Sequence, residues 1–291
     1  MFIIQVPFIN FDKIYESGQC LRWFKVNEGK YVVMHGDRAI LIAQNKDRLI
    51  FHDTEENFFN IWYKYFALDE PYDEHLMKFK HEGKVLKKAS VRGNGIRIIR
   101  QDMWESIIAS AIAFPNPNDT LNAMENIASV FDVHHKNSFR DCGQKTWLEF
   151  PRPEVIVKKS QKLNESYLSE KRCGVILELA NAVIDGWIDL EELRSCSYEE
   201  VHDILDEYMS QVSVDRVCLY SRGMLNVFPD TKSMKRILNS KKEGLDKDKL
   251  FERHKGIVSV SGLAYQLLLN NEFNPPKEYT GGILNGFGRL N

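Results

Sequence analysis

The sequence predicts an α+β protein in which an antiparallel sheet is followed by a mostly helical region. Short apolar runs separated by turn residues occupy the N-terminal part of the chain, a pattern typical of antiparallel strands. From Met103 onward, apolar residues recur at helical spacing nearly to the end. Strands and helices do not alternate along the chain, so a parallel sheet of the dinucleotide-binding type is not expected.

The predicted sheet is a meander of short strands. The N-terminal segment MFIIQVPFINFDK supplies a first strand, and the turn-forming stretches NEGK, HGD and NKD punctuate the later ones. Those later strands are YVVMHG, DRAILIAQ and DRLIFHD. A helix is predicted next over ENFFNIWYKYFALD, where five large apolar residues recur at helical spacing: Phe58, Ile61, Trp62, Tyr65 and Phe66.

Capping residues mark the predicted helices of the second part. MWESIIASAIAF is a buried helix that stops at Pro115, and DTLNAMENIASVF begins at an Asp119/Thr120 cap. Gly186 ends EKRCGVILELANAVIDG, and Ser197, with a glutamate three residues later, begins SYEEVHDILDEYMS as a capping box. Further helices are predicted for VDRVCLYSRGML, DTKSMKRILN and VSGLAYQLLLNN.

Length and composition are those of an ordinary globular protein. With 291 residues, 43% of them hydrophobic and 27% charged, the chain can form one large domain or two closely packed ones. The net charge of −2 gives no strong field for nucleic acid, so a DNA-binding surface must come from local clustering of the 39 basic residues. Residues 135–165 are predicted to be a charged loop, and the Gly-rich tail from Pro275 is either mobile or folded back.

The cysteine pattern argues against a metal site. The five cysteines are scattered and no pair has CxxC spacing, so we expect reduced thiols in a cytoplasmic protein that uses no metal or cofactor. The N-terminal segment has neither the basic region nor the small-residue cleavage site of a signal peptide. No apolar run approaches the ~20 residues that span a bilayer, so no membrane association is expected.

Five segments, in the same order along the chain, resemble motifs of the 8-oxoguanine DNA glycosylases, which belong to the helix-hairpin-helix (HhH-GPD) superfamily. They are SGQCLRWF, YFALD, GIRIIRQDMWESIIASAI, LRSCSYEEVHDIL and LAYQLLL. The resemblance covers about residues 10–270. It implies an N-terminal sheet domain over residues 1–92 and a helical HhH-GPD-like domain over 93–291, with the hairpin near 197–220.

The resemblance implies a reaction on double-stranded DNA that carries a damaged base. Such an enzyme extrudes the base into a pocket, because its target atom is inaccessible inside the duplex. Backbone N–H groups of a glycine-rich hairpin hold the phosphates, and a carboxylate stabilises the positive charge that develops on the sugar. Bifunctional members also use a lysine that attacks the sugar and forms a Schiff base. A monomer without a cofactor is expected.

The hairpin of this chain departs from the family pattern Leu-Pro-Gly-Val-Gly-x-Lys. An ungapped alignment sets YMSQVSV against it, so both glycines are replaced and Val214 stands in the lysine position. The phosphate-binding backbone would belong to Gln211, Val212 and Ser213. Because valine is not a nucleophile, Schiff-base chemistry is excluded at that position; Lys232 is either a substitute or a solvated lysine.

The family's Pro-x-Asp-x-His motif aligns with FPDTKSM. This alignment places Thr231 in the aspartate position and Ser233 in the histidine position, with Asp230 one residue early. Two alternatives stay open. A shift at the helix start brings the Asp230 carboxylate to the site as the catalytic group, or Asp230 or Thr231 is simply an N-cap.

Other site positions are better preserved. The resemblance implies that the Gly18 carbonyl accepts the N7–H of 8-oxoguanine, with Gln19 beside it, and that Gln266 reads the Watson–Crick edge of the base. Cys218 would stack on one face of the base, and Asn116 would hold the orphan base and backbone. For each of Gly18, Gln266 and Cys218, a purely structural role is the alternative.

Two further positions differ from the family. Asn270 replaces a phenylalanine that stacks on the base, and Thr120 replaces an arginine that reads the opposite cytosine. Two basic clusters are either phosphate contacts or solvated faces. They are Lys84, Lys87, Lys88 and Arg92 in the predicted linker, and Lys232, Lys235 and Arg236 in the helix after Pro229.

The sequence therefore supports two hypotheses. One is a divergent, monofunctional glycosylase for an 8-oxoguanine-like purine, with Asp230 as its catalytic group. The other is a non-catalytic relative that binds DNA, a modified base or a partner protein. A small-molecule pocket unrelated to DNA is a third interpretation, but no phosphate loop, metal cluster or nucleophile triad supports it.

Overall fold

The structure is a computed structural model that describes residues 1–135, 147–240 and 246–272. Its N-terminal part is a five-stranded antiparallel sheet in the order β1-β5-β4-β3-β2. The strands are β1 (Phe2–Gln5), β2 (Trp23–Asn27), β3 (Lys30–His35), β4 (Arg38–Asn45) and β5 (Arg48–Phe51). Four of the five strands are those predicted, with the first strand paired at the edge next to β5, whereas β2 was not predicted. Tight turns join the later strands, and Gly36 has a φ of 58°, a left-handed conformation that glycine adopts readily.

One face of the sheet is buried under aromatic residues. Phe11 of helix α1 (Phe11–Glu16) packs on Trp23 and Phe51, with ring centroids 5.7 and 6.5 Å away. The predicted helix after the sheet is present as α2 (Glu55–Asn57), a π-helical turn (Phe58–Trp62) and α3 (Tyr63–Tyr65). Phe58 and Phe66 from this segment complete the aromatic core.

The remaining helices form most of the molecule. They are α4 (Tyr72–Met77), α5 (Lys84–Arg92), α6 (Met103–Ala111), α7 (Pro117–Phe131), α8 (Pro153–Lys158), α9 (Glu170–Ile184), α10 (Tyr198–Leu205), α11 (Gln211–Tyr220), α12 (Lys232–Ser240), α13 (Lys247–Arg253) and α14 (Ser261–Glu272). Short 3-10 helices occur at Lys78–His81, Ser160–Glu165, Glu192–Arg194 and Lys255–Val260. A small strand pair, β6 (Val133–His134) and β7 (Leu148–Glu149), follows α7.

Three local predictions are corrected. Helix α7 begins at Pro117 with Asn116 as its N-cap, three residues before the predicted cap, because the Asn116 side chain accepts from the Asn118 N–H. The predicted linker that carries the first basic cluster is helix α5. Much of the predicted loop over residues 135–165 is β7, α8 and a 3-10 helix. Residues 136–146 of that segment and the predicted tail from Pro275 lie outside the described residues.

The helical region holds two buried clusters. One is built around α6, α7, α9 and α11, and the other around α5, α12 and α14. Residues from Ala67 to Ala89 contribute to the second cluster, so chain before the predicted boundary at residue 92 packs with C-terminal helices. The boundary itself stays a prediction.

A buried ion pair joins the sheet region to α7. The Arg22 guanidinium, 1% exposed, lies 2.5 Å from Oε1 of Glu125 and also donates to the Leu148 carbonyl. Because the arginine is buried, removing Glu125 alone would leave an uncompensated charge in the interior, a loss that costs about 3–5 kcal/mol for buried pairs. Across the described ranges, no helix combines the length and apolar character needed to cross a bilayer.

Candidate functional site

A cavity of about 50 Å³ lies where the segment before β2 meets four helices. Ser17, Gly18, Gln19 and Leu21 line it together with residues from α6, α7, α11 and α14. The helical residues are Ser106, Ala109, Ser110, Pro117, Thr120, Leu121, Arg216, Tyr220, Gln266 and Leu269, and Gln101 precedes α6. The cavity has room for a few water molecules, since one water needs about 10–15 Å³ by this measure, but not for a purine.

Gly18 lies against the start of α7. Its φ is 74°, and a Cβ built there would come 3.2 Å from Cβ of Pro117. A side chain would therefore meet both backbone strain and a crowded neighbour. Among the described residues, nothing donates a hydrogen bond to the Gly18 carbonyl. Gly18 lines the cavity, and the predicted acceptance of a base N–H by its carbonyl stays a prediction.

Gln19 lines the cavity, but its amide is already occupied. The Nε2 group donates to Oγ of Ser17 and to the carbonyl of Arg97, both at 2.9 Å, and Oε1 accepts from the Ile99 N–H at 2.9 Å. The Gln19 carbonyl also accepts from the Gln101 side chain at 2.7 Å. Gln19 is therefore a structural clamp between the sheet region and the chain that enters α6, in place of a substrate contact.

Gln266 is buried at the cavity with a defined amide orientation. Its Nε2 donates to the Ser17 carbonyl at 2.8 Å, which only a donor can do, so Oε1 faces the Tyr220 hydroxyl and accepts from it. Each amide atom has one partner, which leaves one N–H and one lone pair for a ligand. Gln266 therefore lines the cavity with Tyr220 already at its acceptor atom, and its role in reading a base stays a prediction.

The face of α11 that lines the cavity differs from the one expected. Arg216 and Tyr220, one turn apart, line it, whereas Val214 and Cys218 are fully buried in the helical core. Burial raises the pKa of the Cys218 thiol to about 12. The predicted base-stacking role of Cys218 is therefore wrong for this geometry. Sequence reasoning missed Arg216 and Tyr220, although their i, i+4 spacing was a usable signal.

The same helical face continues to Val212, one turn before Arg216. Val212 is half-buried, whereas Val214 lies inside the core. A residue placed to reach the cavity from the start of α11 would thus occupy position 212, two residues from the lysine position of the ungapped alignment. Both positions carry valine, so either register leaves the hairpin without a nucleophile.

The hairpin forms without glycine. Helices α10 and α11 flank a short turn whose residues all have negative φ, so no left-handed residue is required. Ser210 caps α11 by accepting from the Ser213 N–H. The N–H groups of Gln211 and Val212 have no acceptor among the described residues, which is the usual state of a helix start.

Asp230 points to a surface cation. Its carboxylate lies 3.0 Å from Nζ of Lys235 and is not part of the cavity lining. Thr231 is the N-cap of α12, since its hydroxyl accepts from the Met234 N–H at 3.1 Å. Ser233 donates to the Pro115 carbonyl at 2.8 Å, which places this helix start beside the loop between α6 and α7. The structure thus supports the capping alternative, with Thr231 as the cap.

The remaining predicted residues lie around the cavity. Asn116 caps α7 and does not line the cavity, whereas Thr120 does and accepts from the Phe114 N–H. The basic side chains of both clusters are exposed. They are Lys84, Lys87, Lys88 and Arg92 on α5, and Lys232, Lys235 and Arg236 on α12. Arg92 binds the Asn271 side chain at 3.0 Å.

Metal ligands are not assembled in the part of the chain that the structure describes, where no group of three or more His, Cys, Asp or Glu side chains suits an ion. Cys20, Cys173, Cys196 and Cys218 are free thiols. Among the described residues, neither a carboxylate nor a lysine lines the cavity. The arrangement can bind a polar planar group, but it brings no nucleophile or general base to it.

Residues 1–107 match the family described as 8-oxoguanine DNA glycosylase, N-terminal domain. The structure of MBOgg1 in complex with a low-affinity DNA ligand is 29% identical, covers 92% of this chain and 93% of that chain, and has a TM-score of 0.81. No curated protein sequence is a significant match.

Two other solved structures share the fold at lower identity. The Clostridium acetobutylicum 8-oxoguanine glycosylase/lyase, in complex with DNA containing cytosine opposite 8-oxoG, is 23% identical over 94% of this chain and 98% of that chain, with a TM-score of 0.80. The 3-methyladenine DNA glycosylase from Archaeoglobus fulgidus is 18% identical over 94% of this chain and 99% of that chain, with a TM-score of 0.72.

Proposed function

We propose that this 8-oxoguanine-glycosylase-like protein recognises a damaged purine in double-stranded DNA by taking the extruded base into the cavity. The observation that carries the proposal is that Gly18 and Gln266, far apart in sequence, line one cavity. The resemblance assigns both residues to reading 8-oxoguanine. Two structurally similar proteins were solved with DNA, and one of these DNAs contains 8-oxoG.

Base entry requires the cavity to widen. Extruding a base costs a few kcal/mol of unstacking, which contacts in the pocket must offset. Because the cavity measures about 50 Å³, side chains must move to admit a purine. The Tyr220 hydroxyl is one such group, since it contacts the Gln266 oxygen that would accept from the base.

The hairpin and α12 supply a surface for the phosphates. The N–H groups of Gln211 and Val212 point out of a helix start, where the helix dipole favours an anion. Lys232 and Arg236 are exposed on the neighbouring helix in the chain. In this proposal the surface takes the place of the family's glycine-rich turn, because its backbone N–H groups are available to bind the phosphates.

Covalent capture of the sugar is not part of the proposal, because valine occupies both candidate lysine positions. A second candidate function is hydrolysis of the glycosidic bond by Asp230 and water. The observation in its favour is that Ser233, in the first turn of α12, bonds to the Pro115 carbonyl next to the cavity-lining Pro117. Hydrolysis would require Asp230 to leave Lys235.

Equilibrium binding tests the proposal. Fluorescence anisotropy compares duplexes carrying one 8-oxoguanine, opposite each of the four bases, with the undamaged duplex at several salt concentrations. We expect about tenfold tighter binding to a lesion duplex, from one or two net hydrogen bonds in the cavity. Both affinities should fall linearly on a log–log plot against salt.

The matched variant is Gln266→Leu, which keeps the side-chain volume and removes the amide. It should lose the lesion preference and keep the affinity for undamaged DNA. Equal binding of wild-type protein to damaged and undamaged duplexes contradicts the proposal. Base release from the same duplexes, lost in Asp230→Asn, would establish the second candidate.

A further inference from the structure

Arg216 brings to the cavity a positive charge that no residue in the described part of the chain pairs with. It lines the cavity from α11 and is half-buried. It makes no hydrogen bond and no ion pair with any residue that the structure describes. Arg222 and Lys232 are the next two basic residues along the chain. Arg222 donates to the Leu193 and Cys196 carbonyls, and Lys232 is exposed on the surface. Since the side chain is only half-buried, its N–H groups reach water in the free protein and are available to a ligand that enters the cavity.

Ser106 is a second unmatched group in the same cavity. Its side chain is 2% exposed, and its hydroxyl has no hydrogen-bond partner in the described ranges. Buried hydroxyls are nearly always paired, because an unpaired one loses its contacts with water. Ser110, one turn later on α6, also lines the cavity. The α6 wall thus offers hydroxyl groups to whatever enters.

The lining is therefore rich in donors and positive in charge. Arg216 supplies up to five N–H groups, and each hydroxyl adds an O–H. Carboxylates are not among the described lining residues, so none of them offsets the guanidinium charge at the cavity wall. Charges in a partly desolvated cavity interact much more strongly than charges in water.

We infer that Arg216 and Ser106 make this cavity selective for a neutral or anionic nucleobase with an edge rich in carbonyl oxygens, and that Arg216 rejects bases that carry a positive charge. The inference rests on the proposed function and deepens it, since it names the charge class of the base. An oxidised guanine, which has two carbonyl oxygens, fits these donors. An alkylated purine that is cationic, such as 7-methylguanine, would meet a like charge.

The test compares two guanine derivatives in one duplex sequence. One duplex carries 8-oxoguanine, one carries 7-methylguanine on a 2′-fluoro sugar that prevents depurination, and one is undamaged. Binding is measured for wild-type protein, Arg216→Gln, Arg216→Lys and Ser106→Ala. Because neither side chain has a partner in the described chain, none of the variants should lower the thermal unfolding midpoint of the wild type, and Ser106→Ala should raise it if it changes it.

Wild-type protein is expected to bind the 8-oxoguanine duplex at least about tenfold more tightly than the 7-methylguanine duplex, the effect of one charge-assisted hydrogen bond. Arg216→Gln should weaken 8-oxoguanine binding and strengthen 7-methylguanine binding, with undamaged DNA unchanged. Arg216→Lys should still reject the cation but bind 8-oxoguanine less tightly, since it loses the planar fork. Ser106→Ala should weaken 8-oxoguanine binding alone.

The failures are distinguishable. If the wild type prefers 8-oxoguanine over undamaged DNA but Arg216→Gln leaves the ratio of the two lesion affinities unchanged, the inference is overturned and the proposed function stands. If Arg216→Gln weakens all three duplexes equally, Arg216 is a phosphate contact and the inference is also overturned. If the wild type binds all three duplexes alike, the proposed function itself fails.

Discussion

The carboxylate of Asp230 lies 3.0 Å from the ammonium nitrogen of Lys235, one turn into the helix that follows it. The two side chains are 31% and 60% exposed, so the pair is a surface contact worth at most about 1 kcal/mol. This ion pair holds the carboxylate of Asp230, the predicted catalytic group, at the surface beside α12. The Asp230 carboxylate, which the family pattern would bring to the base, therefore does not line the cavity that contains Gly18 and Gln266.

Asp230→Asn should leave lesion binding unchanged within about twofold, because a weak surface pair is all that the substitution removes. The measurement is anisotropy on the 8-oxoguanine duplex together with base release from it. Lys235→Met serves as the matched variant, since it breaks the same pair from the other side. A loss of base release in Asp230→Asn but not in Lys235→Met would assign catalysis to Asp230.

Lysine substitutions at the two hairpin valines should behave oppositely. Val214→Lys buries a charge in a fully enclosed core position and should cost about 4–7 kcal/mol, given pKa displacements of 3–5 units for buried lysines. Val212→Lys, at a half-buried helix start, should cost no more than about 1 kcal/mol from the helix dipole. Urea unfolding measures both.

Val212→Lys also tests the register of α11. Position 212 shares a helical face with the cavity-lining Arg216 and Tyr220, so its lysine should reach an extruded nucleotide. Borohydride should then trap an adduct with the 8-oxoguanine duplex for Val212→Lys, and none for the wild type or Val212→Met. A trapped adduct with the wild type would refute the conclusion that this chain lacks a nucleophile.

Gln19→Ala should destabilise the protein by about 3 kcal/mol, because it leaves the Arg97 carbonyl and the Ile99 N–H buried without partners. Gln5→Ala is the matched control, an exposed glutamine on β1 whose loss should cost under about 0.5 kcal/mol. Urea unfolding followed by tryptophan fluorescence gives both values. Similar midpoints for the two variants would mean that Gln19 is not a clamp.

The stability of the protein should depend on pH through Glu105. Burial, and next the negative charge of Asp102, hold the pKa of Glu105 well above its ordinary value of 4.5. The folded protein therefore holds this proton more tightly than the unfolded chain, so its contribution to stability falls as pH rises from 4.5 to the raised pKa. Each pKa unit corresponds to about 1.4 kcal/mol.

Glu105→Gln removes this titration, so its stability relative to the wild type should improve between pH 4 and pH 7. Glu200→Gln is the control with the opposite sign. Hydrogen bonds from the Ser197 backbone and side chain lower the pKa of Glu200, so its contribution is present above 4.5 and is lost as pH falls. Parallel pH profiles for the wild type and Glu105→Gln would exclude Glu105 as the source.

Residues close together in sequence were predicted well. Ser197 and Glu200 form the capping box expected of them, with 2.6 Å between the Ser197 N–H nitrogen and the Glu200 carboxylate. The four predicted strands and Gly186 at the end of α9 also follow their patterns, whereas β2 was missed. The cap of α7 was misplaced, because Asn116 and Asp119 are both good caps and only the loop packing chooses between them.

Residues far apart were predicted in part. Gly18 and Gln266 do line one cavity, because each lies in a segment, SGQCLRWF or LAYQLLL, that keeps the spacing of the family motif. Gln19 lies beside Gly18 yet turns its amide to the segment before α6, a contact over about 80 residues that no local pattern reveals. Cys218 failed because a shift of two residues rotates a helix position by roughly 200°, from cavity to core.

The amino-acid sequence by itself determined the order of sheet and helices, the caps and the absence of a hairpin lysine, because hydrogen bonds and apolar periods within an element depend on neighbouring residues. Tertiary structure alone decided that α11 turns Arg216 and Tyr220 to the cavity, and that Asp230 binds Lys235 outside it. The rotation of a helix and the direction of a side chain at its end are set by packing against distant segments, whose contacts leave no periodic trace in the sequence.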